Sequence, residues 1–183
     1  MKALVVVDMQ NDFITGSLGT KEAQAIVPNV KKKVEEALDR CDLVIFTRDT
    51  HSDDYMETKE GLKLPVEHCV IDTDGWQICN ELESYVEHGN SFVVDKYTFG
   101  CYDLPDLLLE ILPLNGDRLE CDEIELVGLC TDICVVSNAL LLKSYFYDDI
   151  EISVDATCCA GVTPESHEAA LKTMEMCQIN VKR

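Results

Sequence analysis

The sequence predicts a single three-layer α/β/α domain with a mainly parallel central sheet. Short β-branched runs alternate with segments of helical period, and 183 residues suffice for one core but are short for two. Residues 1–183 are therefore read as one unit. ALVVVD is the first strand, and PNVKKKVEEALDRC the helix after it. In that helix Val30, Val34, Ala37 and Leu38 fall on one face, with Lys31, Lys32, Glu35 and Glu36 largely on the other. Pro28 suits its start. DLVIFTRD and SFVVDK are the second and third strands, and LPDLLLEIL is a helix. EIELVGL is the fourth strand, closed by Gly128, and DICVVSNALLLKSYF turns helical near Asp132. After the strand IEISVDAT, the helix PESHEAALKTMEMC opens with Thr163 as cap and Pro164 in its first turn. The stretch from Thr50 to Glu83 is polar and poorly periodic, longer than an ordinary connection and so a candidate functional loop.

Composition narrows the partners. A net charge of -20, from 15 basic and 35 acidic residues, repels phosphate backbones and anionic lipid, so nucleic acid and membrane surfaces are poor partners. The charges form no block of five like signs, which reads as a solvated acidic surface. Ten cysteines are scattered through apolar and helical stretches, the pattern of a reduced protein rather than a disulfide framework. The apolar run of MKALVVVDMQ stops at Asp8, too short for a signal-peptide core or a membrane span, and a cytoplasmic location is expected.

A parallel sheet places its crevice at the carboxyl ends of its strands. Asp8 follows the first strand, Asp49 and His51 the second, Lys96 the third, and Cys130 and Cys134 the fourth. A thiol near a helix N-terminus and beside a cation is acidified, which suits Cys134 as nucleophile. Asp8 could accept its proton and return it to a leaving amine, with Lys96 holding the Asp8 charge and lowering the thiol pKa. Taken singly, these residues have ordinary readings as a buried small hydrophobe, a turn aspartate and a surface lysine. The spacing of Cys130 and Cys134 also permits a metal-ligand pair, although Cys158 and Cys159, being adjacent, are poor candidates to complete it. A second constellation is Asp49, His51 and His68, with Glu60 between them as a possible fourth ligand of a divalent ion. His88, in a polar EHGN turn, and His167, on the final helix, are read as non-ligands.

VVVDMQNDF, DKYTFG and GLCTDICV together resemble the three catalytic blocks of the isochorismatase-like cysteine hydrolases, over most of the chain. Within that superfamily the DTH element and LPVEHCV resemble nicotinamidases. The resemblance implies hydrolysis of nicotinamide to nicotinate and ammonia through a thioester on Cys134, with Asp8 and Lys96 completing the triad. It implies an oxyanion hole from the backbone N–H groups of Cys130 and Cys134, after a cis peptide between Leu129 and Cys130. It further implies one divalent metal ion, zinc before manganese or iron, on Asp49, His51, His68 and Glu60. Phe13 and Phe99 would flank the substrate ring, and the assembly would be a homo-oligomer. Where relatives tend to carry Gly-Thr this chain reads IDTDGWQI, so Trp76 either lines the pocket entrance or anchors the loop. Two other functions compete: a cysteine amidohydrolase acting on an aliphatic or ureido amide, and a non-catalytic member binding a metabolite or a partner protein.

Overall fold

The computed structural model describes residues 1–116 and 118–183. Six parallel strands form the central sheet in the order β3-β2-β1-β6-β7-β8. They are β1 (Lys2–Val7), β2 (Leu43–Asp49), β3 (Ser91–Lys96), β6 (Glu123–Leu129), β7 (Glu151–Ala160) and β8 (Asn180–Lys182), while β4 (Leu114–Asn115) and β5 (Arg118–Leu119) make a separate antiparallel hairpin. β1 shows why the sheet is covered on both faces. Ala3, Val5 and Val7 enter one apolar cluster, and Leu4 and Val6 enter the other, the alternation a strand imposes on successive side chains. The first cluster packs under α4 (Leu104–Ile111), α5 (Val136–Phe146) and α6 (Pro164–Met176). The second packs under α2 (Lys21–Asp39) and α3 (Asn80–Val86); a single turn, α1 (Asn11–Ile14), follows β1. The three-layer α/β/α expectation holds. Among the described residues no helix is long and apolar enough to cross a membrane.

Several boundaries differ from expectation. α2 begins at Lys21, not at Pro28, because Thr20 caps it by accepting the Ala23 N–H at 3.0 Å. The apolar stripe Ala23, Ile26, Val27, Val30, Val34 runs through the proline. Pro28 itself is exposed, so the carbonyl it leaves without a helical partner is on the watered side. The polar segment after Thr50 ends at α3, a seven-residue helix that buries only Leu82, too little apolar signal to read in advance. The fourth strand continues one residue past Gly128, and the following helix opens with a π-helical turn over Thr131–Val135. The Thr163 cap stands as expected, within a capping box with Ser166.

The chain turns from one half of the sheet to the other between β1 and β6, which pair with Val7 opposite Gly128. Gly128 has φ +112°, and a Cβ there would lie 2.2 Å from the Val7 carbonyl oxygen. Gly128→Ala therefore forces both a left-handed backbone and a collision with a backbone atom. It is expected to cost roughly 3 kcal/mol, read as a lower urea midpoint; a midpoint equal to wild type would refute this.

Candidate active site

The site forms where open α/β sheets bind ligands, outside the carboxyl ends of the strands at the topological switch point. Asp8 leaves β1 with φ 47°, its N–H 3.2 Å from the Thr47 carbonyl oxygen. Thr47 also donates its hydroxyl to Asp8 Oδ1 at 2.6 Å. Lys96 ends β3 opposite Asp49 in register, and both side chains turn inward. Its Nζ lies 2.8 Å from Asp8 Oδ2, 2.9 Å from Asp49 Oδ1 and 3.4 Å from Cys134 Sγ. One buried ammonium thus touches the proposed base, a proposed metal ligand and the proposed nucleophile.

Electrostatics correct one expectation. Burial pushes the Cys134 thiol well above its ordinary pKa, the Asp8 charge adds to this, and the pull of Lys96 does not overcome them. Burial thus opposes the thiolate at Cys134, whose Sγ receives the Lys96 ammonium at 3.4 Å. Burial also raises Asp8 against the attraction of Lys96. Burial alone would lower Lys96, but the Asp8 and Asp49 carboxylates hold it well above the usual range, so it stays charged. Cys130 is likewise pushed up, to about 12, by burial and then by Asp132, and only Cys134 has the Lys96 ammonium against its sulfur.

Asp49 and His51, two residues apart at the end of β2, point the same way, with His51 Nε2 2.9 Å from Asp49 Oδ2. His68 Nε2 lies 3.6 Å from the same oxygen. These three donors fall within 4.8 Å of one another. His68 Nδ1 donates to the Val66 carbonyl at 2.8 Å, which leaves Nε2 with a lone pair toward the cluster. A carboxylate and two imidazoles so oriented fit a divalent ion. Glu60 stands outside the tight set, its Oε1 3.9 Å from His51 Nε2. Neither Cys130 nor Cys134 belongs to a ligand cluster among the described residues.

A cavity of about 520 Å³ opens over Asp49, His68 and Cys134, with Phe13 and Phe99 in its walls. Phe13 meets His68 edge to face at 5.6 Å between centroids. The Leu129–Cys130 peptide is cis. Trp76 is not part of the cavity wall. It donates to Thr50 Oγ1 at 2.9 Å and is covered by the Arg48 guanidinium at 3.6 Å, so it anchors the loop. His167 pairs with Thr131 Oγ1 at 2.8 Å, and His88 lies in an exposed turn; neither belongs to the cluster of donors.

Sequence reasoning passed over three buried polar residues. Gln10 accepts the Asp49 N–H at 2.7 Å and donates to the Asp49 and Trp76 carbonyls at 2.9 and 2.8 Å, fixing the Asp49 backbone. Asn138 donates to the Cys134 carbonyl and accepts from Cys101 N–H, both at 2.8 Å, tying the Thr131–Val135 turn to the segment after β3. The third is Thr47. Asn138 stands inside a mainly apolar stretch and Thr47 at the end of one, a signal that could have found them, whereas Gln10, between Met9 and Asn11, carries none.

A family model described as the isochorismatase domain matches residues 2–182. The chain belongs to the isochorismatase family. Among isochorismatase-like proteins it is 28% identical over 212 residues to a nicotinamidase of Schizosaccharomyces pombe, covering 98% of this chain and 91% of the relative. The solved pyrazinamidase/nicotinamidase of Streptococcus mutans superposes with a TM-score of 0.83 at 26% identity, covering 99% of both chains. The N-carbamoylsarcosine amidase of Thermoplasma acidophilum does so at 0.76 and 26%, covering 100% of this chain and 96% of that one. These isochorismatase-like structures share the single α/β domain and parallel sheet described above.

Proposed function

We propose that this chain is a metal-dependent nicotinamidase, hydrolysing nicotinamide to nicotinate and ammonia. The observation that carries the reading is the single Lys96 ammonium in contact with Asp8, Cys134 and Asp49, beneath a cavity that also presents His68. Similarity to named nicotinamidases supports it at the level of an amide hydrolase.

Asp8 takes the thiol proton as substrate enters. Once Asp8 is neutral its repulsion of the thiolate is gone, and Lys96 at 3.4 Å remains to stabilise Sγ. The sulfur attacks the amide carbonyl, and the backbone N–H groups of Cys130 and Cys134 receive the oxyanion. Asp8 returns the proton to the nitrogen, ammonia leaves, and the thioester remains on Cys134. Asp8 then deprotonates a water that attacks the thioester, releasing nicotinate and the thiol. Asp49, His51 and His68, with Glu60 at the edge, would hold a divalent ion that, when bound, supplies a Lewis acid for the pyridine nitrogen. Phe13 and Phe99 would flank the ring.

Ammonia release from nicotinamide by the metal-loaded protein is the direct test; no release from nicotinamide together with release from another amide would sink the reading. Chelation is expected to lower kcat/KM for nicotinamide by about 100-fold or more, with recovery on adding zinc, manganese or iron. Similarity to N-carbamoylsarcosine amidase favours, as a second reading, a ureido or aliphatic amide as substrate. Under that reading chelation leaves turnover intact and the isolated protein carries less than one equivalent of metal.

A further inference from the structure

One wall of the cavity is a turn that presents Lys59, Glu60, Lys63 and Leu64. Its backbone is closed like a helix: Leu62 N–H donates to the Thr58 carbonyl at 3.0 Å, and Lys63 and Leu64 N–H to the Glu60 carbonyl at 2.8 and 2.9 Å. Residues 59 and 63 are thus both carried by this closed turn, four positions apart. The turn is fastened to the metal-site histidines through Tyr55, which is fully buried. Tyr55 donates Oη to the Leu64 carbonyl at 2.9 Å, and its ring centroid lies 4.6 Å from that of His51 and 4.9 Å from that of His68. A Cβ on Gly61 would lie 2.1 Å from the Tyr55 carbonyl oxygen, so turn and tyrosine are in direct backbone contact.

This turn holds two ammoniums at the cavity of a protein whose net charge is -20. Lys33, Lys96 and Lys182 are each paired with two carboxylates, whereas Lys59 and Lys63 have no ion pair among the described residues. The cavity, about 520 Å³, is of the size that takes drug-sized ligands and exceeds the needs of a single pyridine ring. Leu18, Ala23, Ile133 and Val162 make its further walls apolar.

We propose that beside nicotinamide the cavity takes a larger carboxamide as a second substrate, with an apolar body along these walls and an acidic group received by Lys59 and Lys63. Local cations offset the repulsion that an anion meets at the surface of so acidic a protein, acting within a screening length of about 8 Å. The proposal rests on the amidohydrolase reading only for the hydrolysis itself. The competing role for the two lysines is as alkyl stems covering apolar wall. Lys59→Met with Lys63→Met keeps apolar stems and removes both charges.

The probes are nicotinamide and nicotinamide bearing a carboxymethyl group meta to the amide. In the double variant the ratio of kcat/KM, acidic over neutral amide, is expected to fall about fivefold, and about 0.5 M salt in the wild type should produce much of the same fall. A ratio equal to that of the wild type overturns the proposal and leaves the lysines as wall. The same comparison is made by calorimetric binding in a Cys134→Ala background, where no turnover is needed. If the wild type turns over neither amide, the hydrolase reading fails, and the binding ratio still decides for or against an anion-receiving rim.

Discussion

Cys134→Ala is expected to reduce ammonia release from nicotinamide by about 10,000-fold or more, while Cys130→Ala retains most of it. The two thiols lie four residues apart, yet their settings differ. Cys134 Sγ is 3.4 Å from the Lys96 ammonium, which itself lies 2.8 Å from Asp8, the proposed base. Cys130 Sγ makes no hydrogen bond to Lys96; burial and then Asp132 raise it to about 12, which leaves its sulfur a negligible thiolate fraction near neutral pH. What Cys130 would contribute is a backbone N–H, and alanine supplies that equally. Steady-state kinetics on both variants, each checked for folding by circular dichroism, tests the division of labour. Equal losses would overturn it.

Lys96→Met is expected to remove activity and also to cost about 3–5 kcal/mol of stability, because it leaves two buried carboxylates facing one another without a cation. Asp8 and Asp49 lie 2.8 and 2.9 Å from the lost ammonium, and the lysine is only 2% exposed, so solvent screens little of the change. The pH dependence has a definite sign. Without Lys96 the folded pKa of Asp8, already raised by burial, rises further. A carboxyl whose folded pKa exceeds its unfolded value binds more protons folded than unfolded, so its stability contribution falls as pH rises between the two. The deficit relative to wild type should be largest near neutral pH and shrink as pH falls toward the unfolded aspartate value of about 4. Urea unfolding of both proteins, at neutral pH and at mildly acidic pH, measures it. A deficit below about 1 kcal/mol, or one independent of pH, would mean that the carboxylates are solvated in a way the structure does not show.

Most of the site was legible before folding because parallel strands align their carboxyl ends. Asp8, Asp49 and Lys96 each close or follow an apolar β-branched run, and a parallel sheet leaves them along one edge. The Asp49 and His51 pair was legible from strand alternation, and the Thr163 cap from its Pro164 neighbour. α2 was misplaced by seven residues because a proline is a local signal for a helix start, whereas burial of Ala23, Ile26 and Val27 against the sheet is a tertiary one. α3 and β8 went unseen for the same reason, being short elements whose stability comes from what they pack against or pair with.

The sequence by itself determined the periods of burial, and hence the layered α/β architecture, together with the chemical types at the strand ends. Periodicity is a property of one segment and survives without its partners. Only the tertiary structure decided that one ammonium is shared by Asp8, Asp49 and Cys134, that burial opposes the thiolate at Cys134, and that Trp76 braces a loop outside the cavity. Those outcomes depend on the desolvation of each group and on separations of a few tenths of an ångström between segments remote in the chain, and neither exists until the chain has folded.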